Sequence, residues 1–222
     1  MNAPTIQFSS KKLSDATIKY SGYANKKDNR GRSVETPLFK FIEVFTKHLD
    51  GEKDGPAFAP ALFSRKRTKS NLLSRTMVVL DIEQTKKNAA AEGHKSTDND
   101  VPPTLDKLRS LLADKNLLAI VHTSFSHEPE NPRYRVILPI ETPKQFPAND
   151  DLLARNAALR IDQIAIELVA TDLGLRSFLD TSKTGASSIF YYPRTSKASL
   201  PNADAIWTDG DLIDYKAYYS EA

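Results

Sequence analysis

The chain has no cysteine. That absence excludes a disulfide framework, a thiolate zinc site and a cysteine nucleophile. No apolar run approaches the ~20 residues that would span a bilayer, and the N-terminal stretch MNAPTIQFSSKK has no apolar signal core. The expectation is a cytoplasmic protein that does not contact membrane. Internal repeats and long low-complexity tracts are missing, and so is a Gly-rich phosphate-binding loop with its lysine, so the sequence carries no helicase motif. Charge of one sign is not in excess either: a net +3 is too small to identify a partner.

What is present is ordinary in bulk and informative in detail. At 222 residues, with 40% hydrophobic and 27% charged residues, the chain suits one substantial domain or two small lobes sharing a cleft. Its positive charge concentrates in residues 65–75, at Arg65, Lys66, Arg67, Lys69 and Arg75. Such a run either guides a polyanion or forms a solvated loop that keeps the protein soluble.

Periodicity predicts short strands within residues 1–22, such as ATIKY at 16–20, and a polar loop over 23–35. A helix is expected over 36–50, capped by Thr36, started by Pro37 and stopped by Gly51. Leu38, Phe41, Ile42, Phe45 and Leu49 would form its inner face. A buried strand follows at 77–83, an insertion at 84–103, a helix at 104–115 and strands at 117–123 and 133–139. A long helix over 150–173 would turn Leu152, Leu153, Leu159, Ile164 and Leu168 inward and end at Gly174. SSIFYY (187–192) reads as a strand, and Asp209-Gly210 as a turn. Strands and helices in this order give an α+β class built on a mainly antiparallel sheet.

Three segments carry chemistry. In MVVLDIEQ (77–84), alternation puts Val78, Leu80 and Ile82 on one face and Met77, Val79, Asp81 and Glu83 on the other. Two carboxylates so close repel unless a cation sits between them, and magnesium or manganese commonly uses one or two carboxylates plus substrate phosphates. A third acid, Asp180, follows the apolar stretch before it. In HTSFSHEPENPRYRVILP (122–139), Arg133 and Arg135 share one strand face, and arginine's planar fork matches phosphate oxygens. His127 can donate to a phosphate as well, whereas His122, interior to a strand, is read as structural. Plainer alternatives stand beside each: solvated acids at a strand end, cross-strand ion pairs of the arginines with Glu141 or Glu128, and turn packing of His127 near Pro129.

Together these segments resemble the archaeo-eukaryotic primase superfamily, and within it the primase-polymerase domains of plasmid, phage and prophage replication proteins. The carriers are VVLDIE with Asp81 and Glu83, SFSHEPENPRYRVILP with His127 and Arg135, and FLD with Asp180, followed by IFYYPR; they lie within residues 58–194. Two positions depart from the pattern, Phe125 where a small residue is usual and Ser188 where an arginine often stands. The resemblance implies an RNA-recognition-motif-like antiparallel catalytic lobe (about 76–222) packed with a small N-terminal α/β lobe (about 1–75). It implies metal-dependent, template-directed nucleotidyl transfer that synthesises primers. Asp81, Glu83 and Asp180 would hold two Mg²⁺ or Mn²⁺ ions; His127, Arg133, Arg135 and Ser124 would bind the nucleoside triphosphate. Single-stranded DNA would be the template, guided by Arg65, Lys66, Arg67 and Lys69, with a replicative helicase domain or protein as a further partner. Two other functions compete: a non-catalytic module for single-stranded nucleic acid, and a nicking replication initiator with Tyr191 or Tyr192 as nucleophile.

Overall fold

A computed structural model describes residues 6–83 and 101–222. Most of the expected insertion, residues 84–100, lies outside the described residues. The class is α+β: one face of the larger antiparallel sheet packs on the smaller N-terminal sheet and its helix, and the other face on the remaining helices.

The N-terminal sheet starts after a single helical turn, α1 (Lys11–Ser14), capped by the Ser10 hydroxyl. Strand β1 (Thr17–Tyr23) pairs antiparallel with β2 (Arg32–Pro37). Five of the thirteen residues expected to be loop, Tyr23 and residues 32–35, are therefore strand. β2 is an edge, and its mostly exposed polar side chains left no apolar alternation to recognise. Helix α2 (Leu38–Phe45) buries Leu38, Phe41, Ile42 and Phe45 as expected. It ends earlier than Gly51, because the Thr46 amide and hydroxyl both donate to the Ile42 carbonyl, at 2.9 and 2.7 Å. Leu49, expected on the helix stripe, is instead half-exposed in β3 (Leu49–Asp50).

The larger sheet has the order β11-β7-β8-β6-β5 and is antiparallel throughout. Its strands are β5 (Ala61–Phe63), β6 (Leu72–Glu83), β7 (Ala119–Thr123), β8 (Arg133–Gln145) and β11 (Ala205–Thr208). The N-terminal sheet, ordered β2-β1-β4-β9, is completed by β4 (Ala57–Ala59) and by β9 (Phe190–Tyr191), and β10 (Arg194–Thr195) pairs parallel with β3. Strand β6 is longer than the expected 77–83, with a register shift between Arg75 and Met77.

Alternation in β6 divides the core as the sequence predicts. Val78, Leu80 and Ile82 join Tyr134, Val136 and Leu138 against helices α3 (Leu105–Asp114) and α4 (Leu152–Asp172), touching Leu108, Leu112, Ile166 and Val169. Met77 and Val79, with Ile120 and Ile137, pack under Tyr20, Phe41, Phe45 and Phe58 of the N-terminal layer. Each such fully buried side chain contributes about 1.5–3 kcal/mol of transfer free energy. Two and four residues beyond Val79, the same face carries Asp81 and Glu83.

The inner stripe of α4 is not the expected one. Leu152, Leu153 and Ile164 are exposed, while Arg155, Ala158, Asp162, Ala165, Ile166, Val169 and Ala170 are buried. Two charged residues sit on the inward face because each is satisfied there. Arg155 donates to the carbonyls of Lys69, Leu72 and Pro147. Asp162 accepts both arms of Arg75, at 2.8 and 2.6 Å. Arg75 thus leaves the basic run and becomes a core residue. Gly174 does end the helix, at a left-handed φ of 63°. The tail adds β11 and a last helix, α5 (Tyr215–Glu221), neither of them expected.

Candidate functional site

Backbone register brings the chemistry-bearing residues together. Asp81 on β6 lies opposite Arg135 on β8, which lies opposite His122 on β7. One pleat further, Glu83 lies opposite Arg133, whose carbonyl accepts from the Ser124 amide at 2.9 Å. The free edge of β6 at this end is met by the segment after α4: Leu179 bridges Ile82, and the Asp180 amide donates to the Asp81 carbonyl at 2.9 Å. Asp180 is therefore delivered beside the other two acids by a strand-like contact.

These residues line an open cleft of about 220 Å³ with Lys53, Phe125, Ser126, Lys183, Tyr191 and Arg194. The acids are engaged by the arginines across from them. Arg135 Nε donates to Asp81 Oδ1 and Arg133 Nη1 to Glu83 Oε2, both at 3.1 Å. The cross-strand ion pairs considered from sequence thus exist, but with Asp81 and Glu83 as partners; Glu141 pairs with Lys12 instead. Arg135 also donates to the Tyr191 carbonyl at 3.1 Å and lies over the Phe190 ring. Arg133 keeps a buried Nε without a partner among the described residues. Asp180 caps the turn that follows it, accepting from the Ser182 amide at 3.0 Å.

Five cations (Lys53, Arg133, Arg135, Lys183 and Arg194) line the cleft against three carboxylates. Among the described residues, Lys53, Lys183 and Arg194 pair with no carboxylate, and the Lys53 ammonium reaches the Ser126 hydroxyl alone, at 3.4 Å. The Glu83 carboxyl stands above the usual carboxylate range, mainly through burial; Arg133 pulls it back, while Asp180 and Asp81 push it further up. That is an environment an added cation would relieve. Among the described residues, however, no three His, Asp or Glu side chains converge closely enough to hold a metal ion.

The remaining expected residues fall in three places. Ser124 is on the cleft wall. His127 is half-buried in the adjoining turn, outside the cleft lining; its Nδ1 accepts from the Arg133 amide at 3.1 Å, which leaves the proton of the neutral ring on Nε2. Burial holds its pKa below the ordinary histidine value. Arg65, Lys66 and Lys69 are exposed, but Arg67 turns inward, donating to the Ser187 carbonyl at 2.8 Å and covering the Tyr23 ring. His122 is fully buried, and burial keeps it neutral, in keeping with a structural reading. As for the tyrosines, burial pushes the Tyr192 hydroxyl far above its ordinary range, with the hydrogen bond to Tyr20 acting in the same direction; burial and Asp54 raise Tyr191. Both shifts oppose nucleophile activation.

Sequence reasoning missed Lys53, Lys183 and Arg194. Lys183 was visible as the first cation after Asp180. The other two are brought in by loop 51–55 and by β10, which only the fold places here.

No protein-family model and no curated protein matches the sequence. Among solved structures, the chain is similar to the AEP domain of the primase-polymerase of cyanophage S-2L. The two are 9% identical, the alignment covers 94% of this chain and 89% of that one, and the TM-score is 0.42.

Proposed function

We propose that the cleft binds a nucleoside triphosphate with a divalent metal, and that the protein is a nucleotidyltransferase of the primase-polymerase kind, making primers on single-stranded DNA in plasmid or phage replication. One observation carries this reading: two chain segments far apart in sequence, β6 with Asp81 and Glu83 and the stretch after α4 with Asp180, deliver three acids into one cleft that also holds an excess of cations. A site for a neutral ligand has no use for that excess, whereas a triphosphate matches it. Arg133, with a spare buried Nε, and Arg135 are the phosphate-binding side chains, with Lys183 beside Asp180.

The donor set fits a hard, oxygen-seeking ion of which two carboxylates supply part and phosphate oxygens the rest. The raised Glu83 carboxyl supports that fit. Asp81 and Glu83 would hold Mg²⁺ or Mn²⁺, with Asp180 adjacent. A bound ion would lower the pKa of an attacking hydroxyl and stabilise charge on pyrophosphate. The chain's own part is to orient the triphosphate through Arg133 and Arg135 and to keep the acids poised by ion-pairing them until ligand arrives.

The test is primer synthesis on single-stranded DNA with labelled nucleotides and Mn²⁺ or Mg²⁺, run beside Asp81→Ala. Metal-dependent dinucleotide formation that disappears in the variant supports the reading; unchanged synthesis refutes the assignment of the acids. A second reading, a non-catalytic module for single-stranded nucleic acid, is favoured by the engagement of Asp81 and Glu83 with arginines. Calorimetry separates the two: DNA binding without any binding of ATP and Mn²⁺ selects the second.

A further inference from the structure

Arg194 lines two clefts at once. Beyond the acid-bearing one lies a second, of about 510 Å³, and Tyr192 and Arg194 form the shared wall. The floor of the second cleft is apolar, made by Val34, Val44, Leu49 and Pro56. Val44 and Leu49 are 46% and 49% exposed, which is costly for aliphatic side chains with nothing over them. Its rim carries Arg32, Lys47 and Arg194. Among the described residues, none of these three forms an ion pair with a carboxylate. Asp28 is the one acid among the described lining residues; its carboxylate accepts from the amides of Arg30 and Ala24, at 2.9 and 3.1 Å, and these bonds, with a smaller pull from Arg32, hold it below the usual carboxylate range.

Arg194 is also held in place. Its backbone is fixed by parallel pairing with Leu49, and its guanidinium lies against Gly51 and Gly55. A Cβ on Gly55 would fall 2.3 Å from Nη1, and one on Gly51 2.9 Å. The glycines make room for a cation whose only side-chain hydrogen bond among the described residues is a long one, 3.5 Å, to the Glu52 carbonyl. A fixed guanidinium with unused donors suits an anion that arrives from outside. On the far side, the exposed basic loop bearing Arg65 and Lys66 is tied to the turn before β2 by the bond from the Arg67 amide to the Asn29 carbonyl, at 2.8 Å.

We propose that the second cleft is a single-stranded nucleic-acid site. A base rests on Val34, Val44, Leu49 and Pro56; Arg32, Lys47 and Arg194 contact successive phosphates. An apolar floor edged by cations is what an unpaired nucleotide offers to match: a flat base beside a charged backbone. Because Arg194 faces both clefts, the strand end here leads into the acid-bearing cleft. The assignment of that direction, unlike the strand site itself, rests on the triphosphate reading above.

The test is fluorescence anisotropy with 5′-labelled dT12, with calorimetry of ATP and Mn²⁺ on the same preparations. Arg32→Glu/Lys47→Glu is expected to weaken dT12 at least tenfold and to flatten its salt dependence, by a log–log slope of about 0.7 per lost phosphate contact. Nucleotide binding should be unchanged, since neither residue lines the first cleft. Val44→Ser/Leu49→Ser should weaken dT12 with the salt slope retained, and Gly55→Ala should weaken it by displacing Arg194. All of these positions except Gly55 are exposed, so thermal melts should stay near that of the parent. If dT12 binding survives both double variants, the strand site is refuted, whatever happens to nucleotide. If dT12 binding falls as stated while the parent binds no ATP with Mn²⁺, the strand site stands and the triphosphate reading fails.

Discussion

Replacing Asp162 by alanine tests the account of the core that positions the site. Asp162 is fully buried and accepts from Arg75 Nε at 2.8 Å, Arg75 Nη2 at 2.6 Å and the Tyr215 hydroxyl at 2.9 Å. Removing it strands a guanidinium that is only 2% exposed. Breaking a buried pair from one side costs about 3–5 kcal/mol; the tyrosine hydroxyl keeps the main-chain carbonyl of residue 162, also at 2.9 Å, as its acceptor. Against a typical total stability of about 5–15 kcal/mol, the variant should be near its folding limit. Its melting temperature should fall by roughly 6–20 °C at about 2–4 °C per kcal/mol for a chain of this size. Arg75→Met/Asp162→Leu/Tyr215→Phe removes all three polar ends together and should recover most of the loss, because an apolar set of similar volume carries no desolvation penalty. Urea unfolding followed by circular dichroism measures both. A loss below about 1 kcal/mol in Asp162→Ala, or a triple variant no better than the single, would refute the reasoning. Arg75 Nη2 also donates to the Thr184 carbonyl at 3.0 Å, in the loop after Asp180, so the single variant should weaken nucleotide binding as well.

Asp81→Asn and Glu83→Gln should each abolish metal-dependent primer synthesis, measured as labelled dinucleotide, while leaving dT12 binding within about twofold. Arg135→Lys cannot keep both the Asp81 and Tyr191 contacts; losing a charged hydrogen bond worth about 1.5–3 kcal/mol should weaken ATP roughly ten- to hundredfold by calorimetry. His48, His122 and His127 all have pKa values lowered mainly by burial, from an ordinary 6.5. The unfolded chain therefore takes up protons first, so their stabilising contribution is complete above about pH 6.5 and is lost as pH falls below it. Urea midpoints at pH 7.5 and 5.0 should show the drop, and His122→Asn should make it shallower.

Alternation was the part of the sequence that could be read directly. A two-residue period put Asp81 and Glu83 opposite the apolar core face of β6, and Arg133 and Arg135 opposite that of β8. Once those strands pair, the site follows from register. Helix α4 could not be read the same way. Its inner face contains Arg155 and Asp162, and a hydrophobic stripe is no guide where burial is compensated by partners far along the chain. Lys53 and Arg194 were invisible for a related reason. They approach the acids through pairings of two residues between β3 and β10, too short to leave a period.

The return of residues 190–195 to the N-terminal layer sets an order of events during synthesis. Strand β4 gains its second neighbour from β9, and β3 its only one from β10, each more than 130 residues later in the chain. As the chain leaves the ribosome, the first sixty residues hold Tyr20, Phe41, Phe45 and Phe58 but not the Phe190 and Tyr192 that complete their aromatic cluster, and the sheet has an open edge at β4 until Tyr191 has been made. Only then can the contacts form that bring Arg194 between the clefts and give Arg135 its Tyr191 carbonyl. A chain interrupted before that point has its acids but not the wall beside them.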